Sequence, residues 1–350
     1  MIINGRTLGP GQPCYVVAEM SANHNGQIGR AIEILGAAKA AGADAVKVQT
    51  YTADTMTIDC DNAYFQLGDH PLWGGKTLYQ LYREAAMPWD WHPRLAAEAE
   101  QVGVTLFSTP YDETAVDFLE KQGTPAYKIA SFELPDVPLL EKVASTGKPV
   151  ILSTGMSTRE EIALAVETLR SGGAGDVALL KCSSAYPADP ADMNLWTIPD
   201  MARTFGVVAG LSDHSVGATA AVAAVAINAA IIEKHFTLSR RDGGPDAAFS
   251  MEPAEFRAMV DQIRTAEKAL GRVSYGATAG EKDSVRFRRS VFAVADIRCG
   301  EPLTKDNVRV IRPGYGLAPV HYASVLGRKA KRDIPRGTPI AWNLVEGRPS

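Results

Sequence analysis

The sequence predicts an α/β fold, a (β/α)8 TIM barrel followed by a small β-rich domain, and two patterns carry that prediction. From about residue 15 to residue 270, short apolar runs of strand type alternate with amphipathic runs of helix length. Such alternation implies a parallel sheet, and eight units fit a closed barrel better than an open doubly wound sheet. Beyond residue 290 strands become short, turn signals dense, and one pattern occurs twice.

The expected strands are 15–19, 45–49, 105–108, 126–129, 149–153, 177–181, 207–211 and 231–235. Helices are expected between them, among others at 28–41, 114–122, 158–171 and 217–228, with a last one at 253–270 after the eighth strand. Residues 50–91 show little helical periodicity and are expected to form an elaborated loop over the active face. The polar, charged stretch 271–289 is expected to link a barrel domain, 1–270, to a second domain, 290–350. In that domain Asp296-Ile-Arg-Cys-Gly-Glu-Pro-Leu is echoed by Asp333-Ile-Pro-Arg-Gly-Thr-Pro-Ile. The glycines fit turn positions that need φ > 0, and the aliphatic residues fit strand starts.

Composition narrows the function. Of the 350 residues, 46% are hydrophobic and 22% charged, ordinary globular values, and the formal net charge of −4 argues against a nucleic-acid partner. Cys14, Cys60, Cys182 and Cys299 lie far apart without metal-ribbon spacing, so a disulfide framework is not expected and a reducing cytoplasm is the expected home. The first residues lack the pattern of a signal peptide, and no apolar run reaches the roughly 18 residues that span a bilayer. The Ala-rich stretch 218–230 reads as a buried helix, so no membrane partner is expected either.

A parallel barrel carries its chemistry at the C-terminal ends of its strands. The polar residues there are Glu19, Lys47, Gln49, Ser108, Thr109, Lys128, Ser131, Ser153, Thr154, Lys181, Ser183, Ser212, His214 and His235. Strand alternation puts Lys47 on the face of Ala45, Ser153 with Ile151, Lys181 with Leu179 and His235 with Ile231, so several are expected to converge on one pocket. His214 and His235 end adjacent strands. One histidine alone would more often be structural, but two at equivalent ends read as a metal pair, imidazole suiting a divalent transition metal with positions left open. His70, His92 and His321 read as loop or surface residues. Lys47, Lys128 and Lys181 end three strands, where an unpaired buried ammonium is costly. An anionic ligand resolves that cost, with Thr109, Ser131, Ser153 and Ser212 as hydroxyl donors. Internal ion pairs with Glu19, Glu133 and Glu233 are the plainer alternative, and a Schiff-base lysine is a third.

Several ordered stretches are shared with a known family. They are Ala18-Glu-Met-Ser-Ala-Asn-His-Asn-Gly, Val46-Lys-Val-Gln-Thr, Phe107-Ser-Thr-Pro, Ala126-Tyr-Lys-Ile-Ala-Ser-Phe-Glu and Leu152-Ser-Thr-Gly-Met. Gly210-Leu-Ser-Asp-His, Ile232-Glu-Lys-His-Phe-Thr, Gly244-Pro-Asp and, in the second domain, Arg312-Pro-Gly-Tyr-Gly continue the series. With these the chain resembles the sialic acid synthase family over essentially its whole length, and its second domain resembles that family's antifreeze-like (SAF, β-clip) module. Within the family it looks most like the pseudaminic acid synthases, on Glu19-Met-Ser-Ala-Asn-His, Asp242-Gly-Gly-Pro-Asp-Ala-Ala-Phe-Ser and the tyrosine of Arg312-Pro-Gly-Tyr-Gly.

The resemblance implies a transferase that condenses phosphoenolpyruvate with an acetamido sugar, 2,4-diacetamido-2,4,6-trideoxy-L-altrose, adding water and releasing phosphate. It implies that Lys47, Thr109, Lys128, Ser131, Ser153, Ser184 and Ser212 bind phosphoenolpyruvate. N-acetylneuraminate synthases commonly carry Asn at the place of Ser184. Glu19, Glu133, His214 and His235 are implied as catalytic, the two histidines holding manganese, or magnesium or cobalt. Tyr186, Asp246 and Arg312 are implied to face the sugar, Arg312 reaching it from the second domain of a neighbouring subunit in a domain-swapped homodimer. The same reaction on N-acetylmannosamine or a legionaminate precursor, a Schiff-base aldolase, and a non-catalytic carbohydrate- or ice-binding protein are the alternatives.

Overall fold

Eight parallel strands close on one another in the first of two units, Met1–Gly271 and Arg272–Ser350. The computed structural model describes residues 1–69 and 72–347. The strands are β1 (Tyr15–Glu19), β2 (Ala45–Thr50), β3 (Thr105–Pro110), β4 (Tyr127–Ile129), β5 (Val150–Ser153), β6 (Val177–Cys182), β7 (Val208–Asp213) and β8 (Ile231–His235). Each pairs with the next, and β8 returns to β1 with Ile231 opposite Tyr15 and His235 opposite Glu19. The helices of the outer ring are α1 (Ile28–Ala40), α2 (His92–Val102), α3 (Glu113–Lys121), α4 (Val137–Ala144), α5 (Arg159–Ser171), α6 (Thr197–Phe205), α7 (Thr219–Ala226) and α8 (Pro253–Leu270).

Period-two alternation sorts each strand into an outer and an inner face. Val16, Val46, Leu152, Leu179, Leu211 and Ile232 point outward and pack among the helices. Tyr15, Val17, Ala45, Phe107, Ala126, Ile151, Ala178, Leu180 and Ile231 fill the barrel, and Ile3 and Leu8 from the N-terminal hairpin join that interior cluster. The interior is tight at β7: a Cβ on Gly210 would lie 2.2 Å from the Ile231 carbonyl oxygen, so only glycine lets the strands approach there. One layer toward the C-terminal ends, the same inward parity delivers the polar residues. The helices follow local rules. Thr158 and Glu161 close a capping box on α5, whose Ile162, Ala165, Val166 and Leu169 form its buried stripe. The Ala-rich α7 is a short barrel helix with Ala221, Ala224 and Val225 buried, and no helix among the described residues is long and apolar enough to cross a membrane.

Residues 50–91 depart from the expected loop. They contain helices Ala53–Met56 and Leu78–Ala85 and 3-10 turns Ala63–Phe65 and Trp89–Trp91. Each α-helix opens on a threonine capping box, Thr52 with Thr55 and Thr77 with Gln80, which stabilises helices too short to show periodicity. His92 is likewise not a surface residue. It is buried at the start of α2, its Nε2 2.9 Å from Thr50 Oγ1. His70 lies outside the described residues, and His321 is half-buried at the end of a 3-10 turn.

In the second unit β9 (Ser290–Ala293) pairs antiparallel with β10 (Val308–Ile311), and the two copies of the repeated pattern face one another. Ile297 and Ile334 exchange backbone hydrogen bonds of 2.9 and 2.8 Å. Asp296 Oδ1 accepts from the Arg336 amide while Asp333 Oδ1 accepts from the Cys299 amide, both at 2.7 Å. Gly300 and Gly337 sit at φ +81° and +87°, the left-handed turns that the repeat anticipates. Val291, Ile297, Leu303, Val308, Val325, Ile334 and Ile340 form this unit's own core.

Candidate active site

Four charged side chains meet inside the C-terminal end of the barrel. Glu19, Lys47, Lys128 and Glu233 are 1, 3, 2 and 4% exposed. Lys47 Nζ lies 2.8 Å from Glu19 Oε2 and 3.4 Å from Glu233 Oε1, and it donates to Thr109 Oγ1 at 3.2 Å. Lys128 has one ion-pair partner among the described residues, Glu233 Oε1 at 3.5 Å. Burial opposes the charge on all four, and the pairing settles each outcome. Burial pulls the Lys128 ammonium down, whereas Glu19 and Glu233 outweigh burial and lift Lys47. Burial pushes Glu19 up despite Lys47; at Glu233 burial is outweighed by Lys128 and Lys47, which hold that carboxylate low. Gln49 Nε2 donates to Glu19 Oε1 and Ser21 Oγ, both at 3.0 Å, and Ser21 Oγ donates to Asp246, whose carboxyl burial pushes up.

Beside this network the two histidines stand with ring centroids 5.4 Å apart. His214 Nδ1 lies 2.8 Å from the Ser183 carbonyl, which can only accept, so the proton sits on Nδ1 and Nε2 is left bare. His235 Nδ1 is buried without a hydrogen-bond partner. Burial lowers His214 to about 4 and His235 well below the ordinary histidine value, so both rings are neutral near pH 7. Two neutral imidazoles with bare nitrogens in a polar cavity fit a divalent ion. Among the described residues no His, Cys, Asp or Glu joins them as a third donor, so water and substrate would complete such a site. The Tyr186 ring lies 4.4 Å from His214, and Phe249 lies 4.9 Å from His235. On the outer face a second ion pair ties the histidine-bearing strand ends together. Lys234 Nζ lies 2.8 Å from Asp213 Oδ2 and also donates to the Ser215 carbonyl, with Asp213 Oδ1 accepting from the Ser215 amide at 2.9 Å.

These groups open into a cavity of about 670 Å³. Glu19, Lys47, Lys128, Ser131, Glu133, Ser153, Ser184, Tyr186, Ser212, His214, His235 and Asp246 all line it. Ser131 and Ser184 hydroxyls are 2.8 Å apart, and Ser153 Oγ is buried without a partner. Glu133 is half-buried; burial raises its carboxyl to about 7 and its Oε2 has no partner. Thr109 stands behind Lys47, and Arg312 belongs to the second unit, where it is exposed.

Lys181 does not join the cluster. Leu180 and Cys182 face inward, so Lys181 shares the outer face with Leu179 and donates to the Cys182 carbonyl at 3.1 Å. Ser108 and Thr154 likewise bond neighbouring strands, to the Val48 and Leu180 carbonyls. The expected internal ion pairs form in part: Glu19 pairs with Lys47, Glu133 pairs with neither lysine among the described residues, and both lysines share Glu233. Its parity with Ile231 and His235 marks it as inward-facing. The Asp213–Lys234 pair has no comparable signal, since charged residues beside a histidine read equally well as solvated.

Comparison with known proteins accords with this geometry. The NeuB family model matches residues 34–275 and the SAF domain model residues 288–346. The chain is 40% identical to the pseudaminic acid synthase of Helicobacter pylori, covering 96% of this chain and 98% of that one. It is 34% identical to the N,N'-diacetyllegionaminic acid synthase of Legionella pneumophila, covering 98% of each. The crystal structure of the spore coat polysaccharide biosynthesis protein SpsE of Bacillus subtilis is similar at TM-score 0.68 and 34% identity, over 100% of this chain and 99% of that one.

Glu133 generates a pH prediction. Its folded pKa of about 7 exceeds the ordinary 4.5, so the folded state holds the proton across that window and loses stability as pH rises through it. Glu133→Gln removes the loss. Its stability advantage over the native chain should be absent near pH 4 and reach on the order of 1–3 kcal/mol at about pH 8. Urea denaturation at both pH values measures it, and a pH-independent difference would contradict the assignment.

Proposed function

The chain belongs to the NeuB family, and from that premise we propose that it is a nonulosonic acid synthase, joining phosphoenolpyruvate to 2,4-diacetamido-2,4,6-trideoxy-L-altrose to give pseudaminic acid. The observation that carries the reading is the pair of buried ammonium groups, Lys47 and Lys128, on a cavity floor beside two neutral histidines. Lys128, with a single ion pair, gains most from an incoming anion. The two lysines receive the phosphate and carboxylate of phosphoenolpyruvate, with hydroxyls of Ser131, Ser153, Ser184 and Ser212 and, through Lys47, Thr109. Tyr186 and Asp246 face the sugar.

In the proposed reaction C3 of phosphoenolpyruvate attacks the aldehyde carbon of the open-chain sugar. Positive charge develops at C2, water adds there, and the tetrahedral intermediate releases phosphate as its C–O bond breaks. Glu19 is the carboxylate that opposes the charge at C2, since Gln49 and Lys47 hold it in one orientation. Glu133, protonated or ionised with equal ease near pH 7, handles the proton of the adding water or of the sugar oxygen. A divalent ion held by His214 and His235, manganese with magnesium or cobalt as alternatives, would supply Lewis-acid polarisation of the aldehyde. The free cysteines agree with a reducing cytoplasm as the site of the reaction. Identity of 40% to a pseudaminic acid synthase against 34% to a legionaminic acid synthase favours the altrose-configured sugar, with the legionaminate precursor second.

Phosphoenolpyruvate with a heavy-oxygen label in its bridging position tests the chemistry. The label should leave in phosphate, only when sugar is present, and chelator or His214→Ala should stop its release. Label retained in the sugar product would contradict C–O cleavage.

The proposal extends to the oligomer: Arg312 serves the sugar site of a second copy, where its guanidinium can hold an acetamido oxygen. Heterodimers of His214→Ala and Arg312→Ala chains should then regain part of the activity that each parent lacks. Confirmed heterodimers as inactive as both parents would show that Arg312 acts elsewhere.

A further inference from the structure

One residue of the site holds a backbone conformation that its type rarely adopts. Ser21 opens the 3-10 turn Ser21–His24 after β1 with φ +46°, in the left-handed region. Among the described residues every other non-glycine position with positive φ is an asparagine: Asn4, Asn25, Asn194 and Asn228. None of these is buried, whereas Ser21 is. Asparagine tolerates this backbone through local hydrogen bonds of its side chain, and glycine has no Cβ to clash; serine carries the strain. Such strain persists only where surrounding contacts over-determine it. Here the Met20 amide donates to the Lys47 carbonyl at 3.0 Å, and Asn23 Nδ2 donates to the Phe236 carbonyl and Ser250 Oγ, both at 2.9 Å. Those contacts fix the turn without the Ser21 hydroxyl, and glycine would satisfy the same backbone with less strain.

What glycine would lack is the hydroxyl and its two bonds. Ser21 Oγ accepts from Gln49 Nε2 at 3.0 Å and donates to Asp246 Oδ2. Gln49 Nε2 also donates to Glu19 Oε1 at 3.0 Å. A hydroxyl has one proton and an amide nitrogen two, so every donor of the bridge is committed and its direction is set. The bridge ends on two carboxyl groups from different parts of the barrel, Glu19 of β1 and Asp246 of the segment after β8, and all four residues line the cavity. Without the hydroxyl, Gln49 loses one of the two acceptors that orient its amide, and Asp246 keeps only the long contact from the Ala22 amide at 3.4 Å. We propose that Ser21 is a positioning residue: its hydroxyl sets Asp246 against Gln49, and through Gln49 against Glu19. The inference rests on the synthase reading above. On that reading Glu19 acts at C2 of phosphoenolpyruvate and Asp246 faces the sugar, so the bridge holds the groups that serve the two substrates in one register.

Two variants separate the hydroxyl from the turn. Ser21→Ala and Ser21→Gly both delete the hydroxyl, but only glycine relieves the left-handed strain, so the glycine variant should unfold at the higher urea midpoint of the two. Phosphate release at saturating phosphoenolpyruvate and 2,4-diacetamido-2,4,6-trideoxy-L-altrose should show kcat lowered about tenfold or more in both, and to the same extent. Calorimetric affinity for phosphoenolpyruvate without sugar should stay within about twofold of native, because Lys47 and Lys128 keep their partners. A native kcat in the glycine variant, or kcat values that follow the urea midpoints, would overturn the inference and leave the shape of the turn as what matters. Loss of phosphoenolpyruvate affinity in step with kcat would overturn it as well. Should the alanine variant fail to fold, the glycine variant decides alone. Absence of phosphate release from the native chain would remove the synthase reading itself, and this inference with it.

Discussion

Two ammonium and two carboxylate groups held almost out of water inside one barrel are the constraint from which the rest of the site follows. Removing charges from water costs several kcal/mol per ion unless partners return the interaction. The barrel supplies the partners by parity alone. Adjacent strands place Glu19 beside Lys47 and return Glu233 to both lysines. The cluster pairs two formal positive with two formal negative charges but not evenly, since Lys47 has two carboxylates and Thr109 beside it and Lys128 has one carboxylate. A multiply charged anion on that floor must compete with two carboxylates for the lysines, a contest that a singly charged ligand is poorly equipped to win. On the proposed reading, this imbalance is what makes the floor a phosphoenolpyruvate site rather than an internal salt cluster.

The remaining features support that centre from outside. The Asp213–Lys234 pair sits one residue before each of His214 and His235, on the face turned away from the cavity. It thereby fixes the strand ends that carry the two rings without adding charge between them. Neutral imidazoles leave bare nitrogens available, and a charged pair would repel both each other and a metal ion. The apolar segment beyond β2 has a complementary effect. Its Met56, Leu67, Leu78 and Leu81 give the cavity an apolar side distinct from the charged floor.

Much of this was legible in the sequence because a barrel reduces to parity and position. Lys47 and Gln49 continue an alternation that their strand states openly, against Val46 and Val48 on the other parity. Lys181 misled because Leu179 and Leu180 are both apolar, so nothing in β6 says which parity faces in, and a shift of one residue exchanges the faces. The helices within residues 50–91 escaped because periodicity needs more turns than they possess; their threonine caps were the only local sign. His92 became a core residue through Thr50, remote in the chain, whose hydroxyl also meets that of Ser108. The repeat of the second unit was readable as a repeat, but its mutual hydrogen bonding is a property of two copies together.

The central claim is that Lys47 and Lys128 are an anion site, and calorimetric titration of phosphoenolpyruvate in the absence of sugar tests it most directly. Compared with the native chain, Lys47→Met and Lys128→Met should each weaken binding by at least about 30-fold, the effect of truncating one side of a buried charge pair. Unchanged affinity in both folded variants would mean that the lysines serve only Glu19 and Glu233, and that the anion binds elsewhere.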